Sequence, residues 1–186
     1  SSCVGRVPAS PARRPRFRPA ARLVFNGCFV TPDAAVWVDG AQVPAPGPSR
    51  QSVAWWLRGL GRTGVKVGCE EGVCGACMVL IDGEPSFSCA RPIESLAGKR
   101  VTTVEGLASG GSLSPLQQAF VDEQAGQCGY CLSGILISAA ALLARNPRPS
   151  RSEIAAALDR HLCRCGVHNR IMRAVARAGA SIGAPP

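Results

Sequence analysis

Eight of the chain's ten cysteines fall into two close sets of four, and no other feature restricts the possible folds as strongly. The first set is Cys69, Cys74 and Cys77 in "CEEGVCGAC", followed by Cys89. The second is Cys128 and Cys131 in "QCGYC", followed by Cys163 and Cys165 in "CRC". Cys3 and Cys28 are left over. Each set needs a fold that brings a distant cysteine back to a tight loop, so the question is what four thiols hold there: disulfides, a zinc ion or an iron-sulfur cluster.

In the first set the spacing is four residues and then two, with one remote cysteine, as in plant-type ferredoxins, where two irons take four thiolates. Gly68, Gly72 and Gly75 allow the backbone to curl so that amide N–H groups point at sulfur. Zinc ribbons pair two Cys-x-x-Cys knuckles instead. Alone, the second set is less specific. Cys128 and Cys131 precede a helix, where the dipole favours thiolates, and Cys163 and Cys165 lie between two others; this arrangement could also hold zinc.

The segments around these sets divide by hydrophobic period. "AVWVDGAQVPA" and "MVLIDGEPSFSC" alternate around Asp39-Gly40 and Asp82-Gly83, dipeptides that make two-residue hairpin turns. "VAWWLRGL" after Ser52 is a short amphipathic helix expected to turn Val53, Trp56 and Leu57 to a core, and "KRVTTVEGL" is a further strand. This pattern predicts an α+β fold whose first unit, 34–108, is a small β-grasp-like domain. Beyond "ASGGSL" the period becomes helical. Ser114 and Pro115 open "SPLQQAFVDE", "GILISAAALLARNP" follows, Ser150 and Glu153 form a capping box before "IAAALDRHL", and "RIMRAVARAGA" completes a four-helix bundle over 113–180, with 181–186 as a tail.

Composition excludes other classes. With 186 residues and 46% hydrophobic residues the chain can build cores. Its longest apolar run, Gly134 to Ala144, is about half of the roughly 20 residues a membrane span requires, so no membrane span is expected. The net charge of +9 comes largely from arginines near the ends: Arg6, Arg13, Arg14, Arg16, Arg18 and Arg22, then Arg164, Arg170, Arg173 and Arg177. With a single tyrosine and no interleaving of basic and aromatic residues, nucleic acid is not an expected partner. Residues 1–33, rich in Pro, Ala and Arg, are expected to form a flexible basic extension. Its Arg13-Arg14 pair is not followed by the apolar stretch of about 7 residues or the cleavage site of an export signal. Lacking an initiator Met, the chain is expected to have a start that lies upstream or has been trimmed.

"GCEEGVCGAC", Cys89, "QCGYC" and "CRCG", in that order, resemble the small iron-sulfur subunit of the molybdenum hydroxylases, the family of xanthine dehydrogenase, aldehyde oxidase, carbon monoxide dehydrogenase and isoquinoline oxidoreductase. The resemblance runs from about Val36 to Ala178. It implies a plant-type 2Fe-2S cluster on Cys69, Cys74, Cys77 and Cys89 in a β-grasp domain, and a second 2Fe-2S cluster on Cys128, Cys131, Cys163 and Cys165 in a four-helix domain. It also implies that Gln127 hydrogen-bonds a pterin and that Cys165 is the ligand nearest the pterin amine.

The molybdopterin cofactor, by the same resemblance, sits on a large partner subunit, since this chain is too short to contain it. Electrons then pass from the molybdenum site through the two clusters to FAD on a medium subunit or to another acceptor. The chain reads "CLSG" at Cys131–Gly134 where many members read "CTPG", closer to the two-subunit enzymes acting on isoquinoline. A free-standing ferredoxin would use the first four cysteines but not the second four. No general acid or nucleophile is expected, and Glu70, Glu71, His161 and His168 read as solvated or structural. Cluster assembly needs reduced thiols, so the cytoplasm is the expected compartment.

Overall fold

The computed structural model describes residues 35–44 and 50–182. The expected basic arm, with Arg13, Arg14, Cys3 and Cys28, lies outside them, as do residues 183–186.

Among the described residues the architecture is mixed α/β, with one five-stranded sheet and five α-helices. Strands β1 (Val36–Val38) and β2 (Ala41–Val43) form the first expected hairpin, and β3 (Met78–Ile81) and β4 (Glu84–Phe87) the second. Both turns use their Asp-Gly pair with positive φ at each residue, 51° and 79° at Asp39-Gly40 and 51° and 86° at Asp82-Gly83. Such turns match the twist of the strands they join. Strand β5 (Arg100–Thr102) lies between the hairpins, parallel to β1 and antiparallel to β3, giving the order β2-β1-β5-β3-β4. Asp39 fixes this junction by accepting the amide of Thr103 at 2.7 Å and its hydroxyl at 2.9 Å.

Helix α1 (Val53–Gly59) covers the sheet with Val53, Ala54 and Leu57 buried. Val53 and Leu57 meet the expectation. Trp56 is only half-buried, packing at the margin of the core, and the third fully buried position belongs to Ala54.

The helical layer comprises α2 (Pro115–Asp122), α3 (Leu132–Arg145), α4 (Arg151–Leu158) and α5 (His168–Ile182). Helix α5 runs through Ile182, two residues into the expected tail. Ser114 and Ser150 each close a capping box, with Gln117 and Glu153 as reciprocal partners, so both helix starts are fixed by local sequence. Ile135, Ala139, Ile154, Ile171, Ala174 and Val175 are buried together in this layer, while Val36, Val53, Leu57, Val79 and Val101 form a separate cluster under the sheet. Helix α3 also packs on β3 and β4. Among the described residues no helix is long and apolar enough to cross a membrane.

Candidate metal centres

The loop after α1 gathers its amides on one sulfur. Cys69 Sγ accepts N–H bonds from Glu71 at 3.4 Å and from Val73 and Cys74 at 3.3 Å each. These bonds, that of Cys74 foremost, pull the Cys69 thiol down to about 6, so the thiolate is favoured near neutrality. Glu70 makes the curl possible at φ 59°, and its carboxylate accepts the indole N–H of Trp55 at 2.7 Å. Cys77 is buried, and its carbonyl accepts both the amide of Ser88 at 3.4 Å and its hydroxyl at 2.6 Å, which brings Cys89 alongside. Burial first, and then the Cys77 thiol, push Cys89 up to about 12, against an amide bond from Gly72.

The second set has the same division between an amide-stabilised thiol and a buried one. Cys128 is exposed and lowered, first by the Tyr130 amide and then by the Cys165 thiol. Cys131 stands at the N-cap of α3, and burial, then Cys163, push it up to about 12. Cys163 and Cys165 lie on the connection from α4 to α5.

The structure thus brings each expected set together as neighbouring pairs: Cys69 with Cys74, Cys77 with Cys89, Cys128 with Cys165 and Cys131 with Cys163. All eight are free thiols. Among the described residues no group of three or more His, Cys, Asp or Glu is gathered to hold a single metal ion. In a 2Fe-2S cluster each iron takes two thiolates and two bridging sulfides, so thiols grouped in twos, with amides turned on sulfur, fit that group. Buried thiols that resist ionisation in bare protein are the ones a metal deprotonates on binding.

Gln127 is exposed and lines, with Cys165, Asn169, Arg170 and Arg173, a cavity of about 380 Å³. The residues expected to meet a pterin therefore share one open face beside the second set. Glu71 and His168 are exposed, as expected of solvated residues.

Of the four residues read as solvated or structural, His161 is a buried one. It is 6% exposed, and its Nε2 pairs with the Ser138 hydroxyl at 2.7 Å. Burial pushes its pKa down to about 4, with the Gly75 backbone acting the other way. Its Nδ1 lies against Gly75 without a well-formed bond. The signal for this contact was in the glycines. A Cβ on Gly75, at φ 78°, would stand 2.3 Å from His161 Nδ1, and one on Gly134 would stand 2.0 Å from the Gly75 carbonyl oxygen.

Comparison with known proteins supplies the family. Residues 64–123 match the 2Fe-2S iron-sulfur cluster binding domain and residues 103–176 the 2Fe-2S binding domain. The chain is 46% identical over 132 residues to the alpha chain of isoquinoline 1-oxidoreductase of Brevundimonas diminuta, covering 70% of this chain and 86% of that protein. It is 44% identical over 149 residues to the nicotine 6-hydroxylase small subunit of Paenarthrobacter nicotinovorans, covering 80% and 90%. Among solved structures, quinoline 2-oxidoreductase from Pseudomonas putida 86 superposes with a TM-score of 0.73 at 37% identity, over 80% of this chain and 93% of the matched one. The chain belongs to the small iron-sulfur subunits of the molybdenum hydroxylase family, the electron-transferring components of these oxidoreductases.

Proposed function

We propose that the chain relays single electrons from a molybdopterin site on a large partner subunit, through two 2Fe-2S clusters, to FAD or another acceptor. Cys69, Cys74, Cys77 and Cys89 hold one cluster in a β-grasp ferredoxin-like unit, 34–108. Cys128, Cys131, Cys163 and Cys165 hold the other in a helical unit, 113–180. The observation that carries this reading is the pairwise grouping of thiols in two sets, each beside its own apolar cluster.

When bound, each cluster supplies one-electron outer-sphere redox chemistry. The chain's own residues tune and protect it. The amides of Glu71, Val73 and Cys74 stabilise negative charge at Cys69, and burial at Cys77 and Cys131 keeps water from one side of each centre. Gln127 and Cys165, which line one open cavity, would be the residues to meet a pterin carried by the partner, and the relatives' names point to an N-heterocycle as the substrate class of the assembled enzyme. Folding and cluster loading take place in the reducing cytoplasm. A free-standing carrier leaves the second thiol set and the helical layer without a role.

Metal analysis and EPR of the complex purified from its own host test this. About four irons per chain, as two 2Fe-2S clusters require, with two distinct reduced-cluster signals, molybdenum and a larger polypeptide are expected. Zinc in place of iron sinks the reading.

A further inference from the structure

A second cavity, of about 520 Å³, opens where α1 meets the loop before α3, and Trp55, Arg58, Lys66, Cys128 and Tyr130 line it. The loop 126–130 is exposed at every residue. It borders this cleft at 128–130 and the Gln127 cavity at 126–127, so the two openings adjoin. Trp55 and Tyr130 are 46% and 47% exposed, yet both rings are held in place. The Trp55 indole N–H donates to the Glu70 carboxylate at 2.7 Å, and the Tyr130 hydroxyl donates to the Val67 carbonyl. Arg58 places its Cζ 6.0 Å from the centre of the Trp55 ring and donates to the carbonyls of Val65 at 2.8 Å and Thr63 at 3.2 Å. Lys66 Nζ donates to the Thr63 carbonyl at 2.8 Å. Among the described residues no carboxylate forms an ion pair with Arg58 or Lys66, and none lines the cleft. Two rings and two unneutralised cations are thus fixed before anything binds.

We propose that this cleft seats an acidic segment of the large partner subunit, whose Asp or Glu carboxylate meets Lys66 and Arg58 while its apolar neighbours cover Trp55 and Tyr130. The inference deepens the subunit reading above and rests on it. Trp, Tyr and Arg are the side chains that carry most binding energy at protein interfaces, because rigid rings and a planar guanidinium bury area at small entropic cost. Charge decides among the occupants. A second copy carries the same net charge of +9, and residues 1–34 hold six arginines against Asp33 alone, so each would bring more positive charge to a cationic cleft. A carboxylate-bearing segment neutralises it. A partner that reaches Gln127 and Cys165 also lies against the loop 126–130, and so comes to the mouth of this cleft. With one wall on α1 and another on the loop before α3, the cleft lets the seated segment grip the sheet and the helical layer together and cover the exposed Cys128.

The test uses the intact complex. A carbodiimide, which joins an amine to a carboxylate in contact with it, is expected to link Lys66 to an Asp or Glu of the large subunit, located by peptide mass spectrometry. Size-exclusion chromatography across a salt series then reads assembly. Lys66→Glu and Trp55→Ala are each expected to lower several-fold the salt concentration at which the subunits part. Lys99→Glu, the same change of net charge outside the cleft's lining, is expected to leave it unchanged. Exchanging the linked carboxylate for lysine is expected to restore the Lys66→Glu complex, which a merely misfolded variant would not allow. A wild-type complex in which Lys66 stays unlinked overturns the proposal, as does a link to a carboxylate of this chain or of a second copy. An equal loss in Lys99→Glu marks a diffuse attraction and overturns it too, as does a Lys66→Glu chain that the exchange does not restore. The absence of any larger polypeptide would fail the subunit reading itself; a large polypeptide that assembles without contact to Lys66 sinks the seat alone.

Discussion

The imidazole Nε2 of His161 and the hydroxyl of Ser138 lie 2.7 Å apart in the interior, tying the connection between α4 and α5 to the middle of α3. Both side chains are buried, His161 at 6% and Ser138 at 5% exposure. Ser138→Ala leaves the imidazole nitrogen without a partner away from water, which costs about 1–3 kcal/mol. The measurement is the melting temperature of the loaded complex; an unshifted melt would show that the pair adds nothing.

Gly75 and Gly134 occupy one contact from opposite sides. Alanine at Gly134 drives a methyl group into the Gly75 carbonyl, an overpacking that costs about 1–3 kcal/mol. Alanine at Gly75 adds the strain of φ 78° to its clash with His161. Because the two changes disturb the same atoms, the double variant is expected to lose less stability than the sum of the singles. Strict additivity in a double-mutant cycle would contradict that coupling.

Each cluster should be removable without the other. Cys89→Ser is expected to abolish the signal of the first cluster and leave that of the second, and Cys131→Ser the reverse, each with iron falling by about two per chain. The two thiols lean on separate apolar clusters, which is why loss of one centre need not unfold the other. EPR and iron analysis together read this, and a single substitution that erases both signals speaks against independent centres.

Acid should weaken the α2–α5 strap. Arg173, with Arg177 behind it, holds the Glu123 carboxyl below its ordinary 4.5, through contacts at 3.0 and 3.4 Å. A depressed carboxylate contributes stability that is present above the ordinary value and is lost as pH falls through the lowered folded value. Glu123→Gln is therefore expected to flatten the decline in melting temperature below about pH 4.5 while changing little at pH 7. Parallel acid limbs for the two proteins would rule the strap out as a contributor.

How much was legible followed the range of each interaction. The Asp39-Gly40 and Asp82-Gly83 turns and the Ser114 and Ser150 caps involve residues within a few positions of one another, and all appear where the sequence put them. The cysteine spacing likewise announced both sets. Trp56 lies on the expected face but is only half-buried, because helical periodicity names a face and not the depth available on it. His161 was ambiguous because a lone histidine has no local pattern that separates a solvated ring from a buried one.

By itself the sequence determined the elements, their caps and turns, and the grouping of eight thiols into two sets, because backbone preference and residue spacing act locally. Only the tertiary structure decided which thiols stand as pairs, that His161 is buried against Ser138, and that Leu162 bonds to Cys74. Those contacts join segments far apart in the chain. They depend on how closely α3 and the α4–α5 connection can approach the first loop, a distance set by the missing side chains of Gly75 and Gly134 together with the packing of two separate apolar clusters.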